Sequence, residues 1–228
     1  MSTVELLPAL HWVHTRISNL YLCIDDDGLT LIDTGTPGAF DQVLSAISAC
    51  GFQAHDLKRI VITHADWDHA GSAAAIQAAT GAMVYAGEKT AVYLQNGTSP
   101  QHLPAVMQWI ANRFVYEAVP EVVPVPIGVS IPVLGGLQAI ASPGHTDDHV
   151  AFYSPTTGVL FAGDALNMWN GRLSRTPALI TADEEAANQS AINLLALSPT
   201  IIACGHGKPL QGHDSGMLMK LFNELRAE

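Results

Sequence analysis

Between Thr63 and Gly71 the chain reads Thr-His-Ala-Asp-Trp-Asp-His-Ala-Gly, and His64, Asp66, Asp68 and His69 all carry donors that bind metal ions. Packed this closely, such groups resist desolvation and their carboxylates repel, unless a cation offsets both effects. Alternate side chains of an extended backbone share a side, so His64 and Asp66 are expected to converge on one ion. Asp68 and His69, at the start of a helix, would turn toward a second. The competing explanation, that Asp68 merely caps a helix beginning near His69, accounts for one residue and leaves three.

Three more loops end in the same residue types, each with a glycine before the candidate: Gly144-His145, Gly163-Asp164 and Gly205-His206. Each follows an apolar run, and a glycine suits a tight turn that brings the next side chain toward a shared point. The candidates are therefore His64, Asp66, Asp68, His69, His145, Asp164 and His206. Two divalent cations with about three protein ligands each, plus shared groups, would use them all.

These loops need a scaffold of strands and helices. Apolar runs over 11–13, 19–24 and 29–33, with an Asp-rich turn closed by Gly28, predict strands and a hairpin. Asp33, at the end of the last run, reads as a turn residue in preference to a group that supports a metal ligand from behind. Helices are predicted over 38–50, 70–80 with Gly81 as its stop, 183–197 with Thr181 and Glu184 as a capping box, and 217–225. Strands are expected at 58–62, 83–85, within 119–141 and at 200–203. The stretch from 88 to 120 breaks this alternation with two helices joined by a polar, proline-containing segment. Its Met107, Trp109, Phe114 and Tyr116 are expected in the core more than in a lid.

The 228 residues suffice for one domain spanning 1–228 with a full core, and 48% are hydrophobic. No apolar run is long enough to span a bilayer, and the first residues carry Glu5 and no basic region, so no membrane attachment and a cytoplasmic location are expected. Cys23, Cys50 and Cys204 are too scattered for a disulfide framework or a metal knuckle. A formal charge of −11 without a basic stripe argues against nucleic acid as a partner.

Five ordered stretches, Leu31-Ile32-Asp33-Thr34-Gly35, the 64–69 motif, Pro143-Gly144-His145-Thr146, Gly163-Asp164 and Gly205-His206-Gly207, make the chain resemble the metallo-β-lactamase superfamily over nearly its whole length. The resemblance implies an α/β (α+β) fold, a four-layer αββα sandwich with a dinuclear site at one edge. It also implies one metal on His64, Asp66 and His145, a second on Asp68, His69 and His206, and Asp164 between them. Where the family usually has His, this chain has Asp66. The extra carboxylate makes the cluster less positive and raises Mn or Fe relative to Zn, although the imidazoles keep Zn first.

The expected activity is that of a dinuclear metallo-hydrolase whose metal-bridging hydroxide attacks a small-molecule ester, thioester or lactone, with a phosphodiester behind these. Asp68, by the same resemblance, would also orient the nucleophile or pass a proton. A glutathione thioesterase is disfavoured because Lys208, Lys220 and Arg226 form no basic patch. The rivals are a di-iron redox protein fed by a separate electron donor, and a metal-binding module without turnover. Trp67 either walls the pocket or packs beneath the helix start. His149 reads as a hydrogen-bonding residue behind the ligands, and Cys204 as a buried, inert thiol. His11, His14, His55, His102 and His213 have no ligand-like company and read as surface or ordinary histidines, His102 also as a lid candidate. The 88–120 insertion is compatible with pairing of two copies as a homodimer.

Overall fold

The computed structural model describes residues 3–212 and 215–227. The first sheet runs in chain order: β1 (Thr3–Leu7), β2 (Leu10–His14), β3 (Asn19–Asp25), β4 (Gly28–Ile32), β5 (Leu57–Ile62), β6 (Met83–Gly87) and β7 (Val122–Val125). Its first four strands are antiparallel neighbours, and β4 to β7 pair in parallel. Pro124 falls in β7, an edge strand, where a missing N–H is tolerated. The second sheet is built from β8 (Ser130–Ile131), β9 (Leu137–Ala141), β10 (Val150–Ser154) and β11 (Val159–Gly163). After the small hairpin of β12 (Asn167–Trp169) and β13 (Arg172–Ser174), it is completed by β14 (Ile201–Cys204) and β15 (Leu210–Gln211). Its order is β15-β14-β11-β10-β9-β8, with β11 and β14 parallel.

Alternation along the strands separates three cores. In β3, Leu20 and Leu22 face helices, whereas Tyr21 and Cys23 face the other sheet; in β5, Ile60 and Ile62 divide from Val61 in the same way. The helix-facing side of the first sheet is covered by α1 (Phe40–Ala49), α3 (Ala73–Thr80) and α4 (Glu88–Asn96), through Val43, Ile47, Ile76 and Leu94. Phe152 and Phe161 fill the space between the sheets. On the far side Leu160 and Ile202 meet Leu194 and Leu195 of α6 (Glu184–Ala196) and Leu218 and Leu221 of α7 (Ser215–Leu225). The result is the αββα sandwich.

Parallel pairing brings the carboxyl ends of β4 and β5 out together, and likewise those of β11 and β14. All four candidate loops open beside these ends. The two sheets are tied there by bonds from Asn19 N to the Gly205 carbonyl (2.7 Å), from Tyr21 Oη to the Cys204 carbonyl (2.7 Å) and from Val150 N to the Thr63 carbonyl (2.9 Å).

Two predicted boundaries shift. The helix expected over 70–80 is broken into α2 (Trp67–Ala70) and α3, because Gly71 packs directly on the Pro37 backbone and the Ser72 hydroxyl bonds the Thr36 carbonyl and Ala39 N–H. The cap of α6 is Asp183, whose carboxylate accepts from Ala186 N at 3.0 Å, while Thr181 turns its hydroxyl back to carbonyls of the preceding turn.

Candidate metal centre

His64 leaves the end of β5 with its ring fully buried, and its Nδ1 lies 3.0 Å from Thr63 Oγ1. That contact turns Nε2 away from the strand, where it is buried without any hydrogen-bond partner. Asp66 precedes α2 and makes no capping bond; its Oδ2 lies 3.2 Å from His145 Nε2 and 3.7 Å from His64 Nε2. These three offer donor atoms that all lie within 4.8 Å of one another.

Asp68 lies inside the first turn of α2, so the capping explanation for it fails. With His69 and His206 it forms a second group of the same compactness: Asp68 Oδ2 is 3.9 Å from His69 Nε2 and 3.6 Å from His206 Nε2. Asp164 stands between the groups, with Oδ1 3.3 Å from His69 and Oδ2 3.3 Å from His206 and 3.5 Å from His145. The structure thus brings all seven sequence-chosen side chains together. The glycines earn their places sterically: a Cβ at Gly205 would strike the Asp164 carboxylate, and one at Gly163, where φ is 48°, would press on His149 Nε2 and Thr63 Oγ1.

Residues behind the cluster orient it. Asp33 was expected to serve its own turn, but it binds the metal loop instead: Oδ1 accepts from Thr63 N (2.8 Å) and Oδ2 lies 2.8 Å from His69 Nδ1. Its φ of 57° is a left-handed conformation that Asp tolerates better than most residues. His206 Nδ1 meets the Ile17 carbonyl at 2.6 Å, and the Asn167 amide oxygen accepts from His206 N at 2.8 Å. His149 holds Asp164, accepting its backbone N–H on Nε2 (3.0 Å), with Nδ1 2.7 Å from Ser142 Oγ. That arrangement needs a neutral ring, and burial, seconded by His145, pushes the His149 imidazole down to about 3.

Charge is strongly coupled across the cluster. Burial opposes ionisation of Asp164, but His206 and His69 overcome it and hold the carboxyl well below the usual range. Burial likewise works against protonated His206, yet Asp164 raises it to about 9; His69 and His145 are also raised against burial, by Asp164 with Asp33 and by Asp66 with Asp164. Asp68 is raised, chiefly by burial. Without a cation, the Asp164 carboxylate and the His69, His145 and His206 rings thus favour one another's charged forms. Even so, His64 Nε2 is buried without a hydrogen bond, and His69 Nε2 and Asp164 Oδ1, also buried, have only each other at 3.3 Å, in a contact too poorly aligned to count as a hydrogen bond. Each such atom costs about 1–3 kcal/mol, more when charged, unless something meets it. Imidazole nitrogens and carboxylate oxygens left open at a shared point suit divalent transition ions.

His102 departs from its sequence reading. Its side chain is only 4% exposed, its Nε2 lies 3.4 Å from Asp66 Oδ2, and its ring stands edge-on to His145 with centroids 4.8 Å apart. It comes from the polar segment between α4 and α5 (Ala105–Ala111), bracketed by Pro100 and Pro104. Proline brackets that stiffen a loop around a lone histidine were the available signal. The expected aromatic core is also corrected: Trp109 is 61% exposed, and only Tyr116 is buried. Trp67 does both things foreseen for it, packing against the helix-side core and stacking on Phe114 at 4.4 Å beside a cavity of about 170 Å³ that Asp66 and His102 also line. Cys204 is buried, its thiol pushed by burial up to about 12. His55 is exposed, and His213 lies outside the described residues.

The sequence pattern of the metallo-beta-lactamase superfamily matches residues 15–206, most of the chain. The chain belongs to that superfamily. Among relatives of this metallo-beta-lactamase-superfamily protein, YobT of Bacillus subtilis is an uncharacterized protein 30% identical over 87% of each chain. A probable metallo-hydrolase of the same organism, YflN, is 27% identical over 97% of this chain and 92% of its own length. A hydroxyacylglutathione hydrolase of Methylobacillus flagellatus is 30% identical over 75% of this chain, which spans 55% of that relative. The fold is shared with a subclass B3 metallo-beta-lactamase of Bradyrhizobium japonicum, at a TM-score of 0.72 and 24% identity, covering 100% of this chain and 93% of that one. These relatives support a hydrolase. No helix among the described residues is long and apolar enough to cross a membrane.

Proposed function

We propose that the protein is a metal-dependent hydrolase of small, uncharged esters, thioesters or lactones. The observation that carries this reading is the pair of three-donor groups, with Asp164 within 3.5 Å of an imidazole of each and His64 Nε2 buried without a hydrogen bond. Two divalent ions would be held by His64, Asp66 and His145 and by Asp68, His69 and His206, with Asp164 common to both; Zn ranks first. Ions so placed supply Lewis-acid polarisation of a carbonyl and an acidified water.

The chain's own groups then set the conditions. Asp68 reaches the cluster from the first turn of α2, with its carboxylate 3.6 Å from His206 and 3.9 Å from His69, and from there it would also orient the acidified water or pass a proton. Trp67, Phe114 and Tyr116 wall the adjacent cavity, and none of the residues lining it is Lys or Arg. An anionic substrate would find no counter-charge there, whereas a neutral acyl group meets aromatic faces and amides. The hydroxyacylglutathione hydrolase relatives lend support to thioester chemistry, while a cavity without Lys or Arg favours a thiol part other than glutathione.

The test is turnover of aryl esters, acyl thioesters and lactones by protein loaded with Zn, Mn or Fe. Expected is hydrolysis that a chelator abolishes and metal restores, with Asp68→Asn losing turnover. Metal-loaded protein that hydrolyses none of the three classes would overturn the reading.

A further inference from the structure

Three consecutive residues of the metal loop each touch one residue of the segment from 97 to 116. The Tyr116 hydroxyl reaches the carbonyls of Ala65 (3.0 Å) and Thr98 (2.6 Å). Phe114 stacks on Trp67, the rings inclined by 20°. Between these, His102 Nε2 faces Asp66 Oδ2 at 3.4 Å. The first two contacts are complete as they stand. The third is not: the His102 side chain is 4% exposed, and neither ring nitrogen makes a well-formed hydrogen bond, the nearby Pro100 backbone being the one further group that favours its protonated form by hydrogen bonding.

Asp66 is equally distinctive. Among the described residues its carboxylate has polar contacts only with imidazoles, those of His64, His102 and His145. His64 and His145 join it in a group compact enough to grip one ion, and His102 stands outside that group. Carboxylates that ligate metals are themselves held by hydrogen bonds, and those outer partners fix their orientation. Among the described residues Asp66 has no other candidate for this partner.

We propose that His102 is the positioning residue of Asp66. When Asp66 holds an ion with His64 and His145, an N–H of the His102 ring donates to the carboxylate and fixes its ligating orientation. The same bond fastens the 97–116 segment over the metal loop. Shortening the 3.4 Å contact to the length of a charge-assisted bond needs only a small side-chain adjustment. Ion binding at this position and docking of the segment are then reciprocally linked. The inference rests on the proposed metal occupancy but not on hydrolysis.

The experiment is competitive titration of Zn into the metal-free full-length protein against a chromophoric chelator, with hydrogen exchange of residues 97–116 read before and after loading. In the wild type two ions bind and the segment gains protection. His102→Ala is expected to weaken one of the two ions by about 10–100-fold, leave the other unchanged and lose that gain. His102→Gln, whose amide N–H also donates, recovers most of the affinity. Tyr116→Phe, which loosens the same segment at Ala65, is expected to weaken that ion by no more than a few-fold, through the linkage alone. Should His102→Ala not fold, His102→Leu, which fills the space without a donor, is titrated instead. Wild-type affinity for both ions in the donor-free variant overturns the proposal, as does a loss that Gln fails to restore or one that Tyr116→Phe reproduces. A wild-type chain that binds no ion removes its premise and overturns it too. Metal binding as described without ester turnover would sink the hydrolase reading and leave this one standing.

Discussion

The two halves of the centre have the same donors and different supports. Each offers two imidazoles and one carboxylate, and Asp164 lies within 3.5 Å of an imidazole of each. At the Asp68–His69–His206 half, Asp33 and the Ile17 carbonyl each lie within 2.8 Å of a ring nitrogen facing away from the cluster. At the His64–Asp66–His145 half, Thr63 approaches His64 at 3.0 Å, His145 Nδ1 is buried without a partner, and Asp66 relies on His102. Ligand type cannot make these halves differ; preorganisation can. A site whose ligands are already oriented spends less of its binding energy on ordering them, so the Asp68–His69–His206 half is expected to be the tighter one.

Removing the shared group should erase the comparison altogether. Asp164→Ala is expected to lower affinity at both halves and to cut turnover by more than the ~100-fold typical of losing an outer partner. Inductively coupled plasma mass spectrometry with a turnover assay checks this, and full metal retention would contradict it. Asp33→Asn should sharpen the contrast by striking one side: about 10–100-fold weaker binding at the His69 half, little at the other, read by competitive titration.

Protons offer a third handle. In the metal-free protein His206 is raised from its ordinary value to about 9. A group whose folded value is raised contributes stability that is complete below pH 6.5 and is lost as pH rises to about 9. Metal-free protein should therefore lose thermal stability between those limits. Loading with Zn near pH 7.5 should release protons, because a ligating imidazole must be neutral. Calorimetry in buffers of different ionisation enthalpy measures that release, and zero release would exclude His206 from ligation. The smallest effect is expected of Thr63→Val, which removes the hydroxyl touching both Asp33 and His64 and should weaken both halves by only a few-fold, in line with about 1 kcal/mol for one hydrogen bond.

The same contrast marks what could be read from the chain. Ligand-type residues behind glycines at strand ends announce themselves through local chemistry, and alternation in β3, β5 and β11 announces the layers. Supports do not. Asp33 lies 36 positions from His69 and His102 is equally far from Asp66, so their roles exist only once the sheets and the 97–116 segment are folded. Local rules also compete. Asp183 outdoes Thr181 as a cap because it stands directly before α6, and the 70–80 helix yields to the approach of Pro37 at Gly71. In α5, helical spacing suggested a core stripe, but Val106 and Trp109 stay exposed, and the Trp109 ring is met by the Arg113 guanidinium 4.0 Å from its centroid.

The most direct test of unequal preorganisation is anomalous diffraction at the Zn edge from crystals of the metal-free protein given one equivalent of Zn. The account expects the signal between Asp68, His69 and His206. A signal confined to His64, Asp66 and His145, equal occupancy of both halves, or no bound ion would contradict it.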